Sequence, residues 1–290
     1  MGDASARTAG TASSAGPTET RPAAPADLRT DRAHSARMYD YYLGGKDNFP
    51  ADRTAAEQVK AALPEVPQAA VQNRLFLVRA ARFLAAEVGI RQFLDIGTGI
   101  PTSPNLHEVV QGVAPESRVV YADNDPIVLA HARALLTSNM QGRTAYVDAD
   151  VREPGRILTA PELLDTLDLT RPVALSLVAI LHFVSDEDGA YEVVRELVAA
   201  LPAGSYLMLS SLTADYNPAS VNTAVGVYHA QGLTCVARGR DAFVRFFDGL
   251  DIVEPGPTPT HLWRPDTTAP PSLEAEAGGN IIYAAVARKA

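Results

Sequence analysis

The feature that most restricts the fold is a repeated unit: an apolar run, an acid near its end, a polar or glycine-bearing turn, then a helical stretch. "RQFLDI", "RVVYAD" and "RTAYVDAD" read as strands, with "PNLHEVVQGV" and "PIVLAHARALL" as helices between them. Pro126 sits at a first-turn position of the second helix. Asp95, Asp123 and Asp150 fall at the three strand ends, 28 and then 27 residues apart, the length of one strand–helix–strand unit. Further on, "VALSLVAI" and "GSYLMLSSL" are near-continuous apolar runs suited to central strands covered on both faces, with the helix "GAYEVVRELVAAL" between them. Helices near 218–231 and 240–248 follow, then strands at "LDIVE" and "IIYAAVAR". Such alternation predicts an α/β protein with a doubly wound, mostly parallel sheet and helices on both faces. Residues 255–280, rich in Pro and Gly and holding the sole tryptophan, Trp263, read as a long loop joining the last two strands.

Ahead of the alternation lie two different segments. Of the first 30 residues, 22 are Ala, Gly, Ser, Thr or Pro, and none is aromatic or β-branched apolar. Such a segment cannot bury enough surface to offset its ordering entropy, so residues 1–30 read as a disordered tail. Residues 31–90 read as an N-terminal helical cap. "RMYDYYLGGKDNFPADR" packs four aromatics around a Gly-Gly pair, and "TAAEQVKAAL" is helical. A long helix follows, with Val71, Leu75, Val78 and Arg82 marking one side and Gly89 suiting its C-terminal end.

With 290 residues, 47% of them hydrophobic, the chain can build one large domain with a sizeable core. A formal charge of −9 argues against a basic groove for nucleic acid. The single cysteine, Cys235, makes no internal disulfide or cysteine-based zinc site, and fits a reducing compartment. No secretion signal is legible, and the longest apolar run, "VALSLVAILHFV", is too short for a membrane span. These features predict a cytoplasmic protein working off the membrane. The six histidines show no metal-ligand spacing, so no metal is expected.

The stretch "FLDIGTGIPTSPN" places two glycines, Gly97 and Gly99, directly after a strand. Glycine lets backbone amides approach a ligand, and a helix start offers unpaired N–H groups. In an open parallel sheet, ligands bind outside the carboxyl ends of the strands, where the three acids lie. A phosphate-binding loop needs Gly-Lys-Ser/Thr, which is missing here. A dinucleotide fingerprint needs a third small residue where Thr102 stands, and Asp95 would repel a pyrophosphate. S-adenosylmethionine fits better, being free of phosphate. Asp123 can accept the ribose hydroxyls. Asp150 can accept the adenine amine, with the Val151 N–H donating to the ring. Asp95 can hold the loop or face the ammonium through water. Each acid could equally cap the helix that follows its strand.

These residues resemble a known family. "LDIGTG", "VVYADNDP" and "DADVREP" resemble successive cofactor motifs of Rossmann-like class I methyltransferases. "RMYDYYLGGKDNFPADR" with "LDIGTGIPT" resembles, more narrowly, the S-adenosyl methyltransferase family found mostly in actinomycetes and formerly a domain of unknown function. "LVAALPAGSYLMLSSLT" and "LWRPD" look like the same family, and the likeness covers about residues 32–290. It implies a seven-stranded sheet with the last strand antiparallel, residues 91–290 as the methyltransferase domain, and cofactor binding by Gly97, Thr98, Gly99, Asp123 and Asp150, with Asn124 close by. Many class I members have a third glycine where this chain has Pro101, so the loop beyond Gly99 takes another path.

The chemistry leaves a fainter mark. Methyl transfer needs an oriented nucleophile and excluded water, and a base only if a proton must leave. His182, after the fourth strand, is either a general base or a histidine satisfied by a nearby carbonyl. Tyr41, Tyr42, Lys46 and Asn48 could reach the cofactor or a substrate, or could simply pack the cap onto the sheet. The expected activity is methyl transfer to an oxygen or nitrogen nucleophile of a small molecule. A cofactor-binding regulatory protein without turnover and a nicotinamide-dependent oxidoreductase are the alternatives. Oligomeric state leaves no trace in the sequence.

Overall fold

The computed structural model describes residues 1–2, 28–135, 140–266 and 271–290. The tail expected over 1–30 therefore lies almost wholly outside the described residues. Eight strands form one sheet: β1 (Gln92–Ile96), β2 (Arg118–Asp123), β3 (Arg143–Asp148), β4 (Ala174–Val178), β5 (Tyr206–Leu212), β6 (Asp251–Ile252), β7 (Thr258–Pro259) and β8 (Ile282–Arg288). Their order is β3-β2-β1-β4-β5-β8-β6, with β7 also on β8. The first five strands pair in parallel and β8 runs antiparallel to β5. The order turns back between β1 and β4, a topological switch point.

The expected doubly wound sheet is present, but it has eight strands rather than seven. Its outer edge is broken in two. β6 pairs with Arg288 and Ala287, and β7 pairs with Ala284 and Tyr283 further along the same strand. Pro255 and Gly256, the latter at φ +82°, lie between the two pieces. The region 255–280 is therefore not a plain loop: it carries β7 and a helix at Leu273–Gly279.

Helices α1 (Ser35–Tyr42), α2 (Pro50–Ala62) and α3 (Val66–Phe83) precede the sheet. Helices α4 (Leu106–Val113) and α5 (Pro126–Leu135) fill the first two crossovers, and the short α6 (Pro154–Leu158) and α7 (Pro161–Leu164) the third. Then come α8 (Ala190–Ala199), α9 (Pro218–Ala230), α10 (Arg240–Val244) and α11 (Leu273–Gly279). Successive strand residues point to opposite faces, so Leu94, Ile96, Val120 and Ala122 join the core under α6, α7 and α8. Phe93, Val119 and Tyr121 join the core under α3 and α4. A third cluster gathers Met38, Val59, Leu63, Val221 and Ala224 from α1, α2 and α9. No helix among the described residues is long and apolar enough to cross a membrane.

On α3 the side that Val71 and Leu75 mark faces outward. Val71 and Leu75 are exposed, while Asn73, Phe76, Leu77, Ala80 and Ala81 are buried. Small alanines on the inner face let neighbours approach closely, and the buried Asn73 hides the apolar stripe. After α3 the helix widens into a π turn, Leu84–Val88, and ends at Gly89 with φ +83°, where a left-handed residue was expected.

Trp263 is fully buried, edge-on to Phe76 at 5.3 Å and to Phe83 at 6.0 Å. It fastens the region after β7 to α3. Trp263→Ala should cost about 3–5 kcal/mol of stability, read as a lowered urea midpoint at unchanged slope.

Candidate active site

At the carboxyl ends of β1, β2 and β4, below α1 and α3, lies a cleft open to solvent. Of the residues expected at the cofactor, Asp95, Gly97, Thr98, Gly99, Asp123, Asn124 and Val151 line it.

The loop after β1 is built by backbone demands. Gly97 has φ +74° and Gly99 φ +68°. The Gly97 N–H donates to the Ala122 carbonyl (2.8 Å), and the Thr98 hydroxyl donates back to the Asp95 carbonyl (3.1 Å). A side chain at Gly97 would strike Ile180, with contacts from 2.6 Å, whereas the space beside Gly99 is open. Beyond Gly99, Arg74 of α3 donates to the carbonyls of Thr102 (2.6 Å) and Pro104 (2.7 Å). That clasp sets the path the chain takes past Pro101.

The Asp123 carboxylate joins two loops. Oδ2 accepts the Gly99 N–H (2.8 Å) and Oδ1 accepts the Asp125 N–H (2.9 Å). Each carboxylate oxygen keeps acceptor capacity for a further donor. Burial pushes the Asp123 carboxyl up, while these two N–H groups and the nearby His34 pull against it. Burial likewise pushes Asp95 up to about 6, against the opposing pull of the Ser176 hydroxyl and the Arg74 guanidinium. Two buried acids at one cleft favour a cation. Because the folded protein holds the Asp95 proton more tightly than the unfolded chain does, this carboxyl weakens the fold by about 3 kcal/mol as pH rises from about 4 to above 6.

Asp150 stands apart from the cleft lining, although its neighbours Ala149 and Val151 belong to it. Its carboxylate is gripped by the Arg152 fork at 2.9 and 2.7 Å and accepts from the Asn124 amide at 2.7 Å. Burial works upward on this carboxyl, but the Arg152 and Asn124 hydrogen bonds outweigh it and hold the group down to about 2. The Val151 N–H has no protein acceptor among the described residues.

The N-terminal residues singled out from sequence fall elsewhere. Tyr41 is hydrogen-bonded to Glu57 (2.6 Å), outside the cleft. Tyr42 is buried with its hydroxyl 3.3 Å from that of Tyr228. Lys46 is exposed. Asn48 is buried and already committed: its amide donates to Asp40 (2.8 Å) and to the Gly45 carbonyl (3.1 Å), and its oxygen accepts from Arg53 (3.0 Å). The Gly-Gly pair serves the Asp40 carboxylate, which a side chain at Gly45 would overlap. The cleft instead takes His34, Ser35, Ala36 and Tyr39 from the start of α1, and Asn73, Arg74 and Leu77 from α3. In the sequence Asn73 and Arg74 belong to a polar run, Gln72-Asn73-Arg74, in the middle of α3.

Polar contacts join the start of α1 to the loop after β2. Asp125 Oδ1 accepts the Ile127 N–H (2.9 Å) at the start of α5, and Oδ2 lies 3.1 Å from His34 Nδ1 and 3.7 Å from Arg37 Nε. Arg37 is also 3.3 Å from the fully buried Asp52, which accepts the His34 and Phe49 N–H groups. Such a buried network is costly to break from one side only.

His182 sits in a short 3-10 turn, Leu181–Phe183, and lines a second cavity adjoining the cleft rather than the cleft itself. Burial and the Arg238 charge push its ring down to about 3. At neutral pH the ring is therefore uncharged.

Comparison with known proteins decides the class. Residues 21–290 match the S-adenosyl methyltransferase family. The chain belongs to that family. A DUF574-family protein from Streptomyces avermitilis is 52% identical, with a TM-score of 0.86 over 91% of this chain and all of that one. A Thermobifida fusca protein carrying a provisional methyltransferase assignment is 40% identical, with a TM-score of 0.84 over 93% of this chain and 99% of the other. An O-methyltransferase family protein from Burkholderia thailandensis, 12% identical with a TM-score of 0.50 over 77% of this chain and 60% of its own, shows likeness of fold alone. None of the curated proteins compared matches the chain. The enzyme is an S-adenosylmethionine-dependent methyltransferase with a Rossmann-like sheet.

The glycine loop separates two kinds of constraint. Gly97→Ala should lower stability by about 1–3 kcal/mol, through left-handed strain and the clash with Ile180. Gly99→Ala should unfold nearer the wild-type midpoint yet bind S-adenosylhomocysteine more weakly, because its methyl enters open cleft. Thermal melts and calorimetric titration of both variants check this.

Proposed function

We propose that the cleft at the ends of β1 and β2 holds S-adenosylmethionine and that the methyl group passes to an oxygen or nitrogen nucleophile of a small molecule. The observation that carries the reading is the pair of buried acids, Asp95 and Asp123, with no phosphate-type cradle beside them. Such a site suits a ligand that is cationic and free of phosphate. When bound, the cofactor supplies an activated methyl on a sulfonium.

The chain's own groups bind and orient. Asp123 keeps one lone-pair direction on each oxygen for the ribose hydroxyls after serving Gly99 and Asp125. The open Val151 N–H suits an adenine ring nitrogen, between the apolar side chains of Ala149 and Val151. Asp150 contributes less directly than its place in the sequence suggests: tied to Arg152, it positions Asn124 at the rim. Arg74, instead of Lys46 or Asn48, is the cation in the cleft and suits the cofactor carboxylate. Asp95 balances the ammonium. Residues 31–90 act as the cap, excluding water through the His34, Arg37 and Asp125 cluster. A small acceptor fits a roofed cleft on a chain of charge −9.

Two tests follow. Asp123→Asn should bind S-adenosylhomocysteine about a hundredfold more weakly by calorimetry and melt at a lower temperature, because both loop bonds and the ribose acceptor are weakened together. Wild-type affinity in this variant would overturn the assignment. A cationic ligand favours ionised Asp95, so affinity for S-adenosylmethionine is full above about pH 7 and falls as pH drops through 6. At pH 5 it should be about tenfold weaker, and Asp95→Asn should flatten the profile. Product formation in a labelled-methyl assay separates an enzyme of this specificity from a silent binder.

A further inference from the structure

Behind the cleft lies a second, mostly apolar cavity. Ser35, Tyr39, Ala179 and Phe183 line both spaces, so the two adjoin at these residues. Its remaining wall comes mainly from α2, α3, α9 and the start of β8, and no Asp, Glu, Lys or Arg is in it. Polar groups are few. They include the Tyr42 and Tyr228 hydroxyls, the Cys235 thiol and the His182 ring, whose Nδ1 is buried with no hydrogen-bond partner. An unpaired buried nitrogen is costly, and a ligand's donor would recover that cost. The Tyr39 hydroxyl, by contrast, is already committed, donating to the Ala70 carbonyl (3.0 Å) and accepting from Asn73 (2.9 Å).

The wall between the two spaces is held in strain. Ala179 has φ +58°, a left-handed conformation that a non-glycine residue keeps only where the surroundings impose it. Here its N–H is bound by the Ser210 carbonyl (3.2 Å) and hydroxyl (2.9 Å), and that hydroxyl donates to Asn73 Oδ1 (2.6 Å). Residues of α1, α3 and β5 thus fix the one residue that faces both cavities from the end of β4.

We propose that this chamber is the acceptor site and that it takes an uncharged, largely apolar molecule bearing a hydroxyl, which donates to the His182 ring. The inference rests on reading the adjoining cleft as the cofactor site. A charged acceptor would lie buried without a counter-charge among the lining residues, which is costly. A neutral hydroxyl meets the acceptor nitrogen of an uncharged imidazole and leaves its apolar body to Val59, Leu63 and Leu212. His182 is on this account a positioning residue for the acceptor.

The test uses the full chain, titrated first with S-adenosylhomocysteine and then, once saturated, with 1-naphthol and with its charged counterpart 1-naphthoate. Naphthol should bind one to one, and naphthoate at least about tenfold more weakly. Ala224→Phe, which fills the chamber from α9, should lose naphthol by about tenfold or more while keeping its affinity for S-adenosylhomocysteine. Cys235→Met, a smaller filling, decides the matter if the first variant folds poorly. His182→Phe should weaken naphthol and leave affinity for toluene, which lacks the hydroxyl, in place. Failure to bind S-adenosylhomocysteine would overturn the cofactor reading. Normal binding of it, with naphthol absent, equal to naphthoate, or indifferent to both filled variants, would overturn the chamber alone.

Discussion

One buried carboxylate organises the working edge of this protein. Asp123 lies at the end of β2, yet it accepts the N–H of Gly99 from the loop after β1 and that of Asp125 from its own. The loop after β1 draws order from the first of these bonds, because its glycines at positive φ supply conformational freedom rather than order. The burial that pushes this acid upward is the cost of putting an ionised acceptor where two backbone donors and a ligand can share it. Asp125 passes the same constraint to the cap through His34 and Arg37. The order of the start of α1 and the order of the loops after β1 and β2 are thus one property.

Much of this was legible in the sequence because it is local and periodic. The strands from β1 to β5 are runs of five to seven residues bounded by turn residues, and the acids at or just past the ends of the first three recur at the length of one crossover. Asp95, Gly97, Thr98, Gly99, Asp123, Asn124 and Val151 meet at one cleft because topology sends every parallel strand end to the same edge. The two-residue strand Thr258–Pro259 is too short to carry a period, so the eighth strand was invisible. Helix α11 was hidden for a related reason: it ends in Gly278-Gly279, a pair that reads as a turn. There the glycines serve close approach, since a side chain at Gly278 would come within 2.6 Å of the Gln68 backbone on α3.

What could not be read was helix phase and commitment. Tyr39, Tyr41 and Tyr42 are within four residues of one another, but only Tyr39 faces the cleft; one partner is taken by Glu57 and the other packs toward Tyr228. Asn48 has the right chemistry for a ligand, and its hydrogen bonds are already spent on its own turn. Asp150 was placed by strand-end logic, which fixes a Cα position; the Arg152 fork two residues on then drew the carboxylate aside. His182 is at the expected edge but opens on the second chamber. In each case the deciding fact is a contact between segments distant in sequence or a rotamer set by a neighbour, neither of which leaves a pattern in composition.

The interrupted outer strand carries a consequence beyond this chain's own architecture. A continuous exposed strand offers a ladder of free amides and carbonyls to any passing chain. Here β8 is covered by two fragments of two residues each, and between them stand Pro255, which has no amide hydrogen, and Gly256 in a left-handed bend. A second molecule could not lay a straight strand along that margin. The same break that hid a strand from sequence reading therefore guards the fold against sheet-to-sheet aggregation on that side.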